Sequence, residues 1–398
     1  MNTFRKNVAL LASCQALLFI NNTTVISVNA LLGARLAKAT GLSSAFATVP
    51  AMCWVIGAAA AAMPAAQLMK RVGRRNGFTA GPLLGLLGAL TVSGAIVFSN
   101  FYLLCLGTLV FGGYNGFAQQ YRFAAADAAP DDLKAKAISY VLAGGLVGGV
   151  LGPLLSQRTK DLFGPGREFL GSIAALVALM LVVVGLLRRL DIPLVALAEA
   201  NDAPRSTGAL VRQPKFAIAV LVIALGYAVM NLLMVSTPLA MTAHCGHPYG
   251  AAASVIGFHV IGMFAPSLFT GTLIKRFGTL RVMVVGVLFN CVTVIVALSG
   301  VTVAHFWWAL FLLGVGWNFL YIGGTTLLTE TYRPSERARA QGISEVCTFS
   351  VMVVSSLSSG VLLEARGWSW LAYVSAALIA VVAGAVASLW LQPPESAA

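Results

Sequence analysis

The sequence predicts an all-α polytopic membrane protein with twelve transmembrane helices arranged as two six-helix pseudo-repeats. Three observations predict it. Of the 398 residues, 59% are hydrophobic and only 10% are charged, with a mean hydropathy of +0.87, which leaves too few charges to cover a soluble protein of this size. Apolar windows of about 20 residues, the length that crosses the hydrocarbon core, recur twelve times. Sequence from the first half also returns in the second.

Taken in order, Arg5 and Lys6 precede the run 8–32, which is longer than the apolar core of a secretory signal and is followed by more such runs. It is therefore the first membrane helix. The spans fall at 8–31, 45–68, 78–98, 101–124, 137–157, 168–187, 216–240, 251–273, 282–300, 305–328, 341–363 and 369–391. Between them, 190–215 changes to Asp, Glu, Pro, Ser and Arg and reads as a solvated linker. It separates an N-terminal bundle, 1–189, from a C-terminal bundle, 216–398.

The formal net charge of +13 is scattered in short clusters, so it sets topology and does not mark a nucleic-acid partner. With the N-terminus inside, 20 of the 26 basic residues fall in cytoplasmic segments, and only Arg35, Lys38, Arg158, Lys160, Arg167 and Arg366 lie on the other face. Both termini are expected in the cytoplasm of a bacterial cell, with the chain in its cytoplasmic membrane. Six cysteines, with no CxxC, form neither a zinc-finger spacing nor a disulfide framework. There is no P-loop, nucleophile elbow or HExxH, so an enzyme is not expected.

The halves repeat around their loops. Ala66-Gln-Leu-Met-Lys-Arg-Val-Gly73 after span 2 matches Gly271-Thr-Leu-Ile-Lys-Arg-Phe-Gly278 after span 8, and Gly112-Gly-Tyr-Asn115 is echoed by Val315-Gly-Trp-Asn318. Duplicated six-helix units with a substrate site between them are a secondary-transporter architecture.

Met230 and Met234 in span 7, and His259 and Met263 in span 8, are pairs four residues apart, so each pair shares a helix face. Counted from the intervening loop, the pairs overlap in depth. Thioethers with an imidazole are a soft ligand set that selects copper, above all Cu(I), and an intramembrane histidine is a functional candidate. Methionine pairs at this spacing also serve as packing, and a buried histidine can be a structural group bonded across helices.

The loop Lys70-Arg-Val-Gly-Arg-Arg75 resembles the signature of the major facilitator superfamily, with a weaker second copy in the matching place. Lys70 and Lys275 stand where that family carries Asp. The resemblance implies the major facilitator fold, with Arg71, Gly73, Arg74, Arg276 and Gly278 in its conformational loops. Within the superfamily, MxxxM followed by HxxxM resembles the CcoA-type copper importers, a branch that also contains riboflavin importers lacking the metal pattern. That resemblance implies copper uptake by alternating access, supplying assembly of a cbb3-type cytochrome oxidase. Copper would be cargo and not a resident cofactor. The partners implied are the copper ion, the lipid bilayer and, indirectly, the oxidase's copper-delivery proteins.

Met241, His244, Cys245 and His247 in the outer loop, with Cys53 in the outer part of span 2 approaching Cys245 if those helices meet at the outward face, form a possible metal entrance; a short loop equally needs polar residues. Cys14, Cys105, Cys291 and Cys347 read as small buried hydrophobes. Asn231, Trp317, Asn318 and Tyr321, with Asn21, Asn22 and Asn115, are candidates to line a cavity or to bond helices together. Asp127, Asp131, Asp132, Glu330 and Glu336 cluster at cytoplasmic span ends, and Glu345 lies one turn into span 11. No acid sits at a helix centre, so Glu345 and His259 are the titrating candidates for ion coupling. The rival reading is a carrier of an organic solute, a riboflavin importer or a drug exporter, that binds through Trp317, Tyr321 and the asparagines.

Overall fold

The computed structural model describes residues 3–121, 124–125, 134–192 and 205–390. Arg122, Asp127, Asp131, Asp132, linker residues 193–204 and the tail from 391 lie outside the described residues.

The chain is helical throughout. Helix α1 runs Thr3–Ala39, and the stretch Val49–Val97 forms two arms, α2 and α3, around a break at Gly73. Then come α4 (Phe101–Ala118), α5 (Lys134–Thr159), α6 (Leu170–Leu187), α7 (Pro214–Leu239) and α8 (Tyr249–Phe277). The last four are α9 (Thr279–Ser299), α10 (Val303–Thr329), α11 (Arg337–Arg366) and α12 (Trp368–Trp390). Among the described residues eleven helical segments are long and apolar enough to cross a membrane. The twelfth element, α5, has 26 residues, or about 39 Å at the α-helical rise.

Local chemistry sets the boundaries. Asn100 caps α4, its Oδ1 accepting from Leu103 N at 2.9 Å, and Pro214 opens α7 where a missing N–H costs nothing. The turns after α2 and α8 have nearly the same backbone, Gly73 at φ 82°, ψ 162° and Gly278 at φ 88°, ψ 153°. Only glycine takes up such angles without strain. The repeat seen in the sequence is therefore a repeat of backbone geometry.

Two expected boundaries are corrected. Span 8 is broken at Ala265–Pro266, where proline cannot continue the ladder. The helical path of α7 runs on past Leu239 through a widened turn, Cys245 N donating to Ala240 O at 3.0 Å. Met241 is therefore buried in that turn instead of lying in an open loop.

Buried apolar side chains form two clusters, one drawn from residues 8–190 and the other from 210–386 with Ala30 and Ala47 added. Ile26, Leu31, Ala34 and Ala51 also pack on the second cluster, and Tyr249 packs on the first. These belong to α1, α2 and α8 and, for Ala47, to the connection between α1 and α2, on the side opposite the termini. Joining there continues along α5 and α8: a Cβ on Gly257 would come within 2.7 Å of Gly149 O, an approach only glycine permits. Thr48 Oγ1 accepts from Gly360 N in α11 at 3.1 Å. The halves are closed at this end, opposite the termini.

Candidate solute site

All four residues of the methionine and histidine pairs lie inside the C-terminal half: Met230 is 2% exposed, Met234 6%, His259 0% and Met263 8%. For the two pairs to share one ion, α7 and α8 would have to pack as neighbours. Helix α8 packs mainly on α10, α7 packs on α11 and then on α10, and the contact between α7 and α8 is slight. His259 Nδ1 lies 2.6 Å from Leu310 O in α10. A carbonyl only accepts, so Nδ1 carries the proton and Nε2 keeps a lone pair. That Nε2 is buried without a partner. Among the described residues no three His, Cys, Asp or Glu side chains gather where they could hold a metal ion.

Near the centre an aromatic group assembles from four helices. Trp317 and Tyr321, one turn apart on α10, stack with ring centroids 4.9 Å apart and planes 8° apart. Tyr227 of α7 presents its edge to both, at 5.0 and 5.4 Å. Phe264 of α8 lies 6.3 Å from Trp317, and Phe19 of α1 lies 4.6 Å from Phe264. The group thus crosses from one half to the other. Trp317 is buried, and its indole Nε1 has no partner. Phe19, Tyr227, Phe264 and Tyr321 are each half-buried. Tyr227, Phe264 and Phe19 were missed in the sequence. The readable signal was Tyr227 four residues before Asn231, hence on its face of the helix.

The asparagines serve mainly as ties. Asn231 Nδ2 sits within 3.1 Å of Met352 O, Ser355 Oγ and Ser356 Oγ, joining α7 to α11. Asn318 donates to Met263 O at 2.7 Å and Ser267 Oγ at 2.6 Å and accepts from Thr270 at 2.8 Å, binding α10 across the break in α8. Neither amide faces a solute free of partners, because each is consumed in joining helices. Asn22 donates to Asn115 Oδ1 at 3.2 Å between α1 and α4.

The outer-loop group does not converge as expected. His244 is exposed, Cys245 is half-buried with its thiol pKa pushed up by burial, and His247 Nε2 meets Val301 O at 2.7 Å. Cys53 faces Cys105 of α4, not Cys245, because α2 packs on α4. Cys14 is buried, but Cys291 is exposed on α9, contrary to expectation. Around the Gly73 and Gly278 turns Arg71 is exposed, Arg74 lies 6.0 Å over the Phe78 ring and Arg276 lies 5.3 Å over Phe277. Glu345 is exposed on α11.

At the end that carries the termini Glu336 is buried and accepts from Arg205 Nε at 2.8 Å, Arg205 Nη2 at 2.6 Å, Arg205 N at 2.7 Å and Arg333 N at 3.0 Å. The Arg205 guanidinium, with the backbone donors, holds this carboxyl below the usual carboxylate range. The described end of the linker is thereby clamped to the segment between α10 and α11.

The Major Facilitator Superfamily model matches residues 11–266 and 216–398. The chain is 38% identical over 382 residues to riboflavin transporter RfnT of Brucella anthropi, covering 95% of this chain and 94% of that protein. It is 33% identical over 378 residues to the MFS-type transporter YdeG of Bacillus subtilis, covering 91% and 85%. In fold it is similar to the nucleoside transporter NupG, with a TM-score of 0.70 at 15% identity over 99% and 100% of the two chains. A bacterial homologue of the lysosomal transporter Spinster, in an inward-facing and unoccupied conformation, gives a TM-score of 0.70 at 14% identity over 97% and 96%. With the two-part helical fold, the repeated turns and these matches together, the chain belongs to the major facilitator superfamily of membrane transporters.

Proposed function

We propose that the chain imports a planar heteroaromatic solute of the riboflavin class across the cytoplasmic membrane by alternating access. The observation that carries this reading is the Trp317–Tyr321 stack, edged by Tyr227 and continued by Phe264 and Phe19 across the boundary between the halves. A flat π-system is the solute such rings hold best, each ring pair contributing about 0.5–1.5 kcal/mol beyond burial. Aromatic rings contributed by both halves let one ligand bias their rocking. The name of the relative at 38% identity supports the same solute class.

Copper import, feeding oxidase assembly, is the second reading. One observation favours it: the lone pair of His259 Nε2 is buried and unused in the core that also holds Met230, Met234 and Met263. In the first reading those methionines are packing.

Uptake of radiolabelled riboflavin and of radiolabelled copper, in cells carrying the intact chain, Trp317→Ala or His259→Ala, separates the two. Riboflavin uptake that needs Trp317, with copper uptake indifferent to the chain, is the expected result. Copper uptake that needs His259, without riboflavin flux, would overturn the proposal.

A further inference from the structure

We propose that a groove at the inner ends of α7, α9, α10 and α12 binds the headgroup phosphate of an anionic phospholipid. The groove has a volume of about 660 Å³ and lies away from the aromatic site, at the end that carries the termini and most basic loops. Its floor is cationic. Lys215, in the first turn of α7, pairs with Glu330 at 2.7 Å, and Arg281 of α9 is exposed, with a long 3.5 Å contact to Phe277 O at the end of α8. Two cations against one carboxylate leave the lining residues with a net positive charge.

Its wall is apolar. Leu327 and Leu389 line it, and Trp390, 57% exposed, closes the end of α12. An indole beside Lys and Arg at a helix end is the pattern of the membrane interface, and the cytoplasmic leaflet supplies anionic headgroups to cations placed there. A cationic floor joined to an apolar wall matches a ligand whose phosphate and acyl chains are covalently linked. Inorganic phosphate would use the floor alone.

The test uses the full chain in neutral detergent and follows tryptophan fluorescence during titration with brominated phosphatidylglycerol or brominated phosphatidylcholine. Saturable quenching by phosphatidylglycerol at about tenfold lower concentration is expected, with that component absent in Trp390→Phe. Arg281→Gln, at an exposed site that leaves folding intact, is expected to weaken it roughly fivefold. Equal quenching by the two lipids, or a curve unmoved in Arg281→Gln, would overturn the proposal. Displacement of the lipid by inorganic phosphate at matched concentration would assign the floor to a free anion instead. Tenfold tighter lipid binding by a chain ending at Trp390 would assign the groove to the C-terminal tail. Either result would also overturn it.

Discussion

The hydroxyl of Tyr249, the first residue of α8, bonds to the hydroxyl of Ser156 in α5, so a side chain of the C-terminal half is seated in the N-terminal half. Phe169 presents its ring edge to Tyr249 at 5.2 Å, and Lys160 Nζ lies 5.6 Å over the Tyr249 ring. Phe169 itself is left-handed, φ 70°, a conformation that costs about 1 kcal/mol or more in a non-glycine residue. Its N–H is held by Lys160 O at 2.7 Å.

Tyr249→Phe removes the hydroxyl pair but keeps the ring. A loss of about 0.5–1.5 kcal/mol should shift the balance of outer-closed and outer-open states roughly two- to tenfold towards open. Spin-label distances between the outer ends of α5 and α8 would read the shift. Distance distributions identical to those of the intact chain would remove Tyr249 from the closure.

Trp317→Ala should abolish flux of the aromatic solute, whereas Trp317→Phe, which keeps a ring against Tyr321, should retain part of it. Equal loss in both would mean that the indole Nε1, not stacking, carries binding. The discriminating measurement is solute affinity by equilibrium binding to the purified protein.

Asn318→Ala removes the donors to Met263 O and Ser267 Oγ at the break in α8, whereas the Thr270 hydroxyl keeps Pro266 O at 2.7 Å. Unsatisfied buried groups cost about 1–3 kcal/mol, so the thermal midpoint should fall by several degrees. Asn318→Asp, which keeps an acceptor but loses both donors, should recover only part of the loss. A midpoint unchanged in Asn318→Ala would show that the break is held by other contacts.

Glu336 is held below the usual carboxylate range first by Arg205 and then by backbone donors. A depressed carboxyl contributes its stabilisation above its unfolded pKa, about 4.3, and loses it as pH falls through the lower folded value. The clamp on the linker should therefore be constant from neutral pH down to about pH 5 and weaken only in strong acid. Hydrogen exchange in 205–211 should stay slow over that range and rise at every pH in Glu336→Gln. Exchange that climbs between pH 7 and pH 5 would contradict this assignment.

Gly73→Ala and Gly278→Ala place a Cβ on a left-handed backbone, with an expected loss of about 1 kcal/mol or more each. Because the two turns are equivalent, the two losses should be of similar size in denaturant or thermal unfolding. A large effect at one and none at the other would break the structural repeat.

The sequence by itself determined the fold class, the span order and the repeat. The hydrocarbon core forces every crossing segment to satisfy its backbone internally, so apolar run length alone gives the helices. Gly73 and Gly278 were legible as a pair because one backbone geometry demands glycine in both loops. Which faces of the helices meet was decided only in three dimensions. The pairs Met230–Met234 and His259–Met263 do share faces as the spacing says, but the chain inserts α10 between α7 and α8, and adjacency in sequence is not adjacency in packing. For the same reason Cys53 meets Cys105 and not Cys245. Asn231 and Asn318, polar in apolar helices, looked like cavity residues and are spent on helix junctions, because an amide in this medium bonds to whatever donor or acceptor the neighbouring helix offers. Tyr227, Phe264 and Phe19 carry no motif at all. They become a candidate site because packing places them beside Trp317 and Tyr321, a distance relation among helices far apart in the chain that no periodicity along one helix can encode.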